Sequence, residues 1–409
     1  MTTPERSRIL SVDLLRGLDV WLMLFVNEMA GVHGTPFFLR HYPRDGDGMT
    51  ITDVVFPAFL FIVGMALPFA LGGRRRRGEA MGATARHLAG RTAALLVLGV
   101  LMVNAEQASE AGPIPGPLWT ILMTVAVVLV WQVPESGEPS SRRRLLRWIG
   151  IAMLVVLVLL FRRDGFSGLV QIRPEWWGIL GLIGWAYLVA GLLYLLAGDR
   201  PAILVGATAL LYCVFMADEA GHVALFAPIN ALVDVGTMLA AHSAVTLSGV
   251  VLGVMLVRHR ASGEPARRLI LATLGYAAGL AVAGLLLHTL NGVHPAFRIN
   301  KIGATAPWCL LSSAWTAAAW VVVFWLADVR GWRGWPRAIT MAGENALLAY
   351  LLPAALLSLF ELGARAFGHD FYGALGGSLA VGTVRSIVFA WVVVQLCGLM
   401  RARGIRMQL

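Results

Sequence analysis

The chain has 409 residues, 58% of them hydrophobic and 14% charged, with a formal net charge of +10. A soluble domain carries roughly 45–50% apolar and about 25% charged residues, so the composition excludes an ordinary water-soluble fold. The positive charge argues against a nucleic-acid partner because it is gathered into short arginine runs between apolar blocks, such as Arg74 to Arg77 and Arg142 to Arg144.

The blocks predict an all-α, polytopic integral membrane helix bundle of about twelve transmembrane helices, since a helix crosses the hydrocarbon layer in about 20 residues. A lone apolar segment satisfies its backbone in lipid only as a helix. In chain order the expected spans are 9–31, 51–72, 87–105, 117–133, 145–162, 178–197, 201–217, 236–257, 267–290, 307–328, 338–362 and 379–400. The first has no small-residue cleavage site after it and is expected to be retained. Spans 117–133 and 201–217 are short, but losing one alone would break the alternation of arginine-rich and arginine-poor gaps. Arginines also crowd the gaps around Arg258, Arg260, Arg267 and Arg268, around Arg330, Arg333 and Arg337, and the tail at Arg401, Arg403 and Arg406. The positive-inside rule then places these gaps and both termini in the cytoplasm. No gap is long enough for a separate soluble domain, so residues 1–409 are read as one domain. Cys213, Cys309 and Cys397 are far apart and lack metal-ligand spacing, so no metal site is expected.

The opposite gaps hold the reactive side chains. Loop 32–50 carries His33, Arg40, His41, Arg44, Asp45 and Asp47; loop 218–235 carries Asp218, Glu219, His222 and Asp234. Loop 291–306 carries Asn291, His294, Arg298, Asn300 and Lys301, and loop 363–378 carries His369 and Asp370. Lys301 is the only lysine in the chain and stands where topology asks for no cation, which marks it as an anion or substrate contact.

Ionisable groups at membrane depth are functional candidates, because burying them in lipid is costly. Asp13, Arg16 and Asn27 fall on one face of the first helix at 3.6 residues per turn. Asp13 and Arg16 can pair at i,i+3 as an interfacial clamp or serve a ligand. Asn27 is either helix–helix glue or a site residue. Thr50, Thr52 and Asp53 form an N-cap cluster, and Gly64 and Pro57 on the Asp53 face leave room for a neighbour or a ligand. His41, Asn27 and Asp53 all belong near the outer ends of the first two helices. A carboxylate beside a histidine orients the imidazole and makes it a better base; Asp53 as a plain cap and His41 as a solvated loop residue are the other readings. His242 with Ser243 lies in the eighth span, and Glu344 with Asn345 in the eleventh. Trp176, Trp177, Trp332 and Trp335 read as interfacial anchors.

Several segments resemble the heparan-alpha-glucosaminide N-acetyltransferase family and its bacterial NagX-like relatives. They are RSRILSVDLLRGLDVWLMLFVNEMAG at 6–31, TDVVFPAFLFIVG at 52–64, FLRH at 38–41, RINK at 298–301, DVRGW at 328–332 and GENALLAY at 343–350, with the glycine-rich WGILGLIGWAYL at 177–188. The motif-bearing regions are 6–72 and 298–350. Arg298 and Ile299 replace a proline–valine pair, and Asn345-Ala346 an asparagine–serine pair. The resemblance implies one transmembrane acyltransferase domain in a bacterial inner membrane. It would take acetyl from cytosolic acetyl-CoA and deliver it to the amine of a glucosamine-type sugar at the outer face. Carried over, His41 is the catalytic histidine with Asn27 and Asp53 as partners, while Asn300, Lys301 and Asn345 line the site, joined by His242 as a further substrate contact.

Histidine supplies a base that titrates near working pH, or an imidazole that carries the acetyl group itself; both routes stay open. Arg16, with Asp13, is the expected contact for the phosphates of CoA at the cytoplasmic mouth. Expected partners are acetyl-CoA, an amino sugar and membrane lipid, with no nucleic acid and no metal; homo-oligomerisation stays open. Two other functions fit the class: a secondary transporter of an amino sugar, and an O-acetyltransferase acting on envelope glycans. Against the transporter, the gap between the sixth and seventh spans is only AGDRP, and no two-halves repeat is visible.

Overall fold

A computed structural model describes residues 10–110, 112–133, 140–221, 224–332 and 334–407. Arg6 to Ile9 of the first motif, His222 and Arg333 lie outside the described residues.

Every expected span coincides with a helix. The helices are α1 Leu10–Met29, α2 Ile51–Arg76, α3 Met81–Ala105, α4 Gly116–Trp131, α5 Ser141–Leu160, α6 Ile179–Ala197, α7 Pro201–Glu219 and the short α8 Ala227–Asn230. They continue as α9 His242–Ser262, α10 Ala266–His288, α11 Ala306–Phe324, α12 Arg337–Glu344, α13 Ala346–Phe367, the short α14 Phe371–Ala374 and α15 Leu379–Ala402. Wide π-helical turns, Val235–Ala241 and Trp325–Val329, lead into α9 and follow α11. Among the described residues the one sheet is the antiparallel pair β1 Gln132–Val133 and β2 Arg406–Met407.

The chain is an all-α, polytopic membrane protein. Nine helices among the described residues are long and apolar enough to cross a membrane by length and composition. The three further expected spans fall short for visible reasons: α4 is a shorter apolar helix of 16 residues, α1 carries Asp13, Arg16, Asp19 and Glu28, and α5 opens on three arginines. The eleventh expected span is two helices, α12 and α13, broken at Asn345.

The chain forms two compact units. The first comprises Met1–Asp19, Phe37–Thr92 and Leu182–Trp335; the second comprises Val20–Pro36, Ala93–Gly181 and Pro336–Leu409. In the first unit α9 packs on α2 and α7, and α11 packs on α10, α2 and α9. α9 is buried along nearly its whole length from His242 to Leu256, as expected of a helix that is apolar all round. Its contact with α2 is close: a Cβ on Gly64 would overlap the Thr246 carbonyl oxygen, and one on Gly249 the Phe61 carbonyl oxygen. The room that Gly64 leaves is therefore filled by a neighbouring helix. α2 ends on Arg74, Arg75 and Arg76, cations that favour the negative end of the helix dipole.

In the second unit α4 packs on α5 and α13, and α15 packs on α12 and α13. Asn345 sits at the α12–α13 break, 1% exposed. Its side-chain Nδ2 donates to the Ile405 carbonyl at 3.2 Å and its Oδ1 accepts from the Met407 amide at 3.0 Å. The break is held by the chain's C-terminal strand.

Candidate functional site

The site of the first unit begins at the N-terminus of α2. Asp53 is only 1% exposed, and its two oxygens do different work. Oδ2 accepts from the backbone amide of Thr50, one half of a capping box at the helix start, and from that of Tyr42 in the preceding loop, each at 3.0 Å. Oδ1 meets Nδ1 of His41 at 2.8 Å. Capping and contact with the histidine, two readings of Asp53 in the sequence, are both realised, one by each oxygen. An ionised carboxylate only accepts, so the contact is made by an N–H on Nδ1 of His41. Half of the His41 side chain is exposed.

Lys301 completes the cluster. Its Nζ lies 3.1 Å from Nδ1 and 3.4 Å from Nε2 of His41, and 3.9 Å from Oδ1 of Asp53. Burial lowers the Lys301 ammonium from its ordinary pKa, and Asp53 opposes that shift without cancelling it.

Two loops present these side chains, tied together by polar contacts far apart in sequence. Asp47 accepts from the Ile299 amide at 2.8 Å, from Asn291 Nδ2 at 2.9 Å and from His288 Nε2 at 2.9 Å. Burial pushes the Asp47 carboxyl up, but these hydrogen bonds outweigh it and hold the group below its ordinary pKa. Asn300 Nδ2 donates to the carbonyls of Arg44 at 2.7 Å and Gly46 at 3.1 Å, while its Oδ1 accepts from the Gly303 amide at 2.9 Å. Its amide is thus committed to backbone, and what it holds in place is the turn carrying Lys301. Within that turn Ala304 adopts φ of +45° while fully buried. A left-handed non-glycine residue costs of order 1–3 kcal/mol and persists where its surroundings over-determine it.

His242 opens α9 behind this cluster. It is buried, stacks edge-on against Phe56 of α2 with centroids 5.6 Å apart, and its Nδ1 has no hydrogen-bond partner among the described residues. Arg16 pairs with Asp13 at 3.3 Å, and the amide of Ser11 donates to Asp328 at 3.2 Å. Asn27 and Asn345 belong to the second unit, where Asn27 lines a cavity with Glu28 and Glu106. Sequence reasoning missed Asp19, a buried carboxyl whose Oδ2 lacks a partner among the described residues, although a third ionisable residue in DLLRGLD was signal enough. In the sequence Asp47 reads only as one of several loop residues. Among the described residues no group of three or more His, Cys, Asp or Glu could hold a metal ion.

The fold and this cluster define a class: a polytopic membrane protein with an oriented histidine, a buried carboxylate and a lysine gathered at helix ends. No family model matches the chain. It is 29% identical over 180 residues to the heparan-alpha-glucosaminide N-acetyltransferase of Homo sapiens, a match covering 41% of this chain and 26% of that protein. It is 31% identical over 148 residues to the enzyme of the same name from Mus musculus, covering 33% and 22%. The chain resembles that family, and the matched stretch spans about a quarter of the length of these curated relatives.

Proposed function

We propose that the chain is a transmembrane N-acetyltransferase, with residues 1–409 acting as one acyltransferase domain. It moves acetyl from cytosolic acetyl-CoA to the amine of a glucosamine-type sugar at the outer face of a bacterial inner membrane. The observation that carries the reading is the 2.8 Å contact of His41 Nδ1 with buried Asp53, closed by Lys301, in a chain similar to two N-acetyltransferases.

The residues suit the chemistry. The acceptor nitrogen attacks the thioester carbonyl carbon, the carbon–sulfur bond breaks, and the CoA thiolate leaves. Nε2 of His41 takes the proton from the amine and returns it to the thiolate; in the covalent variant Nε2 attacks first and passes the acetyl on. Asp53 holds the tautomer and supports the cationic ring that forms. Lys301 supplies positive charge beside the developing oxyanion. Arg16, with Asp13, is assigned to the CoA phosphates, and Asn27 to the catalytic group. His242 shapes the acceptor side from behind Phe56, and Asn300 and Asn345 act through the backbone they hold.

The test is labelled acetyl transfer from acetyl-CoA to glucosamine by protein in detergent. His41→Ala is expected to lower the rate about 10²–10⁴-fold, the usual worth of a positioned acid–base group. Transfer unimpaired by that change would remove His41 from the chemistry. Saturable sugar uptake into proteoliposomes without transfer would make the chain a transporter, and preference for a hydroxyl acceptor an O-acetyltransferase.

A further inference from the structure

Asp47 touches none of the groups assigned to the chemistry, yet the contacts of its carboxylate all come from the chain segment that leads to Lys301. Oδ1 accepts from the Ile299 amide at 2.8 Å and from His288 Nε2 at 2.9 Å, and Oδ2 accepts from Asn291 Nδ2 at 2.9 Å. His288 is the last residue of α10. α10 packs on α11, which begins at Ala306. The turn that carries Lys301 therefore runs between two packed helices. Asp47 bonds at once to the end of the first and to the stretch of chain entering the turn.

The loop that offers Asp47 is itself closely built. A Cβ on Gly46 or on Gly48 would overlap the Tyr42 ring, so the 46–48 bend lies directly against that ring. The Tyr42 amide is held by Asp53, and the Thr50 hydroxyl donates to the Arg40 carbonyl at 2.6 Å. The Gly48 amide donates to the Ile299 carbonyl at 2.8 Å. Ile299 is thus gripped at both backbone groups by consecutive residues of the loop. Two residues further on, the Lys301 ammonium reaches back to His41 at 3.1 Å and Asp53 at 3.9 Å. Among the described residues these are the titratable groups it contacts, and His288 is the one that Asp47 contacts. A lysine on its flexible four-carbon stem turns its charge to water wherever the backbone allows. This one is kept inward by where residues 299–301 are held.

We infer that Asp47 is a positioning residue: anchored on the end of α10 through His288 and Asn291, it fixes Ile299 and so holds the Lys301 ammonium against His41 and Asp53. Asp45, exposed two residues earlier, has no side-chain contact among the described residues and no such role. The inference rests on the acetyltransferase reading for what Lys301 does and on the loop geometry alone for what Asp47 does.

Lys301 is the only lysine in the chain. Full-length protein made with lysine labelled at Cε therefore shows one lysine signal by NMR in detergent, and its titration reads the ammonium directly. Freed from its place, the side chain would leave the burial that lowers its pKa. Asp47→Ala should move the titration midpoint upward, towards the ordinary lysine value of about 10.4, and Asp45→Ala should leave it where it is. Acetyl transfer gives the second readout. Asp47→Ala should lower kcat about 10–10²-fold, as a displacement of about 1 Å at a reacting site can. In a Lys301→Met background the same change should cost no more than about twofold, because the group it positions is already gone. Where Asp47→Ala lowers the thermal midpoint too far for titration, His288→Ala loses the anchor on α10, keeps the Ile299 contact and is read in the same way. An unmoved lysine midpoint, or a rate loss of full size in the Lys301→Met background, overturns the inference. The two readings fail separately. A shifted lysine midpoint in a chain that transfers no acetyl sustains the role of Asp47 and removes the enzyme. Transfer with an unmoved midpoint sustains the enzyme and removes the role of Asp47.

Discussion

At the residue scale, the proposed chemistry depends on Lys301 as a cation. The ammonium lies close to both ring nitrogens of His41, and burial lowers its pKa despite Asp53. A lowered lysine pKa means that the charge is lost at a lower pH than on an exposed lysine. The rate of acetyl transfer should therefore fall on the alkaline side before the ordinary lysine range near 10.4 is reached. Lys301→Arg, whose guanidinium stays charged throughout, should move that limb upward even where it lowers the maximal rate. Lys301→Met should cost about 10²–10³-fold below that limb, the loss typical of one oxyanion donor, and the gap to wild type should close above it. A pH–rate profile of the three proteins decides, and an alkaline limb unchanged by Lys301→Arg would assign it to another group.

The same cluster shows which parts of a site a sequence exposes. Asp53 was legible because Thr50-Ile51-Thr52-Asp53 carries a local signature of a helix start. His41 was singled out by the resemblance at FLRH, 38–41, since in the loop alone it reads as readily as a solvated side chain. The Asp47 contacts were not, because His288, Asn291 and Ile299 arrive from a loop some 240 to 250 residues away. Nothing local distinguishes Asp47 from Asp45. The role of Asn300 was hidden for the same reason: an amide read as a substrate contact is committed to the carbonyls of Arg44 and Gly46.

At the scale of elements, hydropathy blocks located the helices within a few residues because each helix meets lipid or protein over its own length. They did not show the break at Asn345, since Asn-Ala-Leu-Leu is compatible with an uninterrupted helix and the break is held by residues 405–407. They did not show the π-helical turn before His242 either. Glycine spacing was more informative than it first read. Gly64 and Gly249 let α2 and α9 approach so closely that an added Cβ meets main-chain atoms, which cannot move aside as a flexible side chain can. Gly64→Val is therefore expected to destabilise the protein by about 1–3 kcal/mol through overpacking. Gly275→Ala, on α10 with open space at its Cβ, should be neutral or slightly stabilising. Unfolding midpoints of the two variants in one detergent provide the comparison, and an undiminished midpoint for Gly64→Val would show that α2 and α9 are not packed through these glycines.

At the scale of the whole molecule, the question is whether donor and acceptor meet the protein from opposite sides of the membrane. By the positive-inside rule the arginine-rich gaps and tail are expected in the cytoplasm, and the termini with them. The loop bearing His41, with Asp45 exposed on it, is then expected to face the other way. Under the proposed function, with acetyl-CoA drawn from the cytosol, a reaction completed at His41 would require the acetyl group to cross the bilayer within the protein. A chain lacking Cys213, Cys309 and Cys397 and carrying one new cysteine reports the geometry directly. Asp45→Cys should react with a membrane-impermeant maleimide added outside intact spheroplasts. Arg403→Cys should react only after permeabilisation. Labelling of both from the same side would place the loop and the tail together, an odd number of crossings would separate the count from twelve, and acetyl transfer would then need no passage across the membrane.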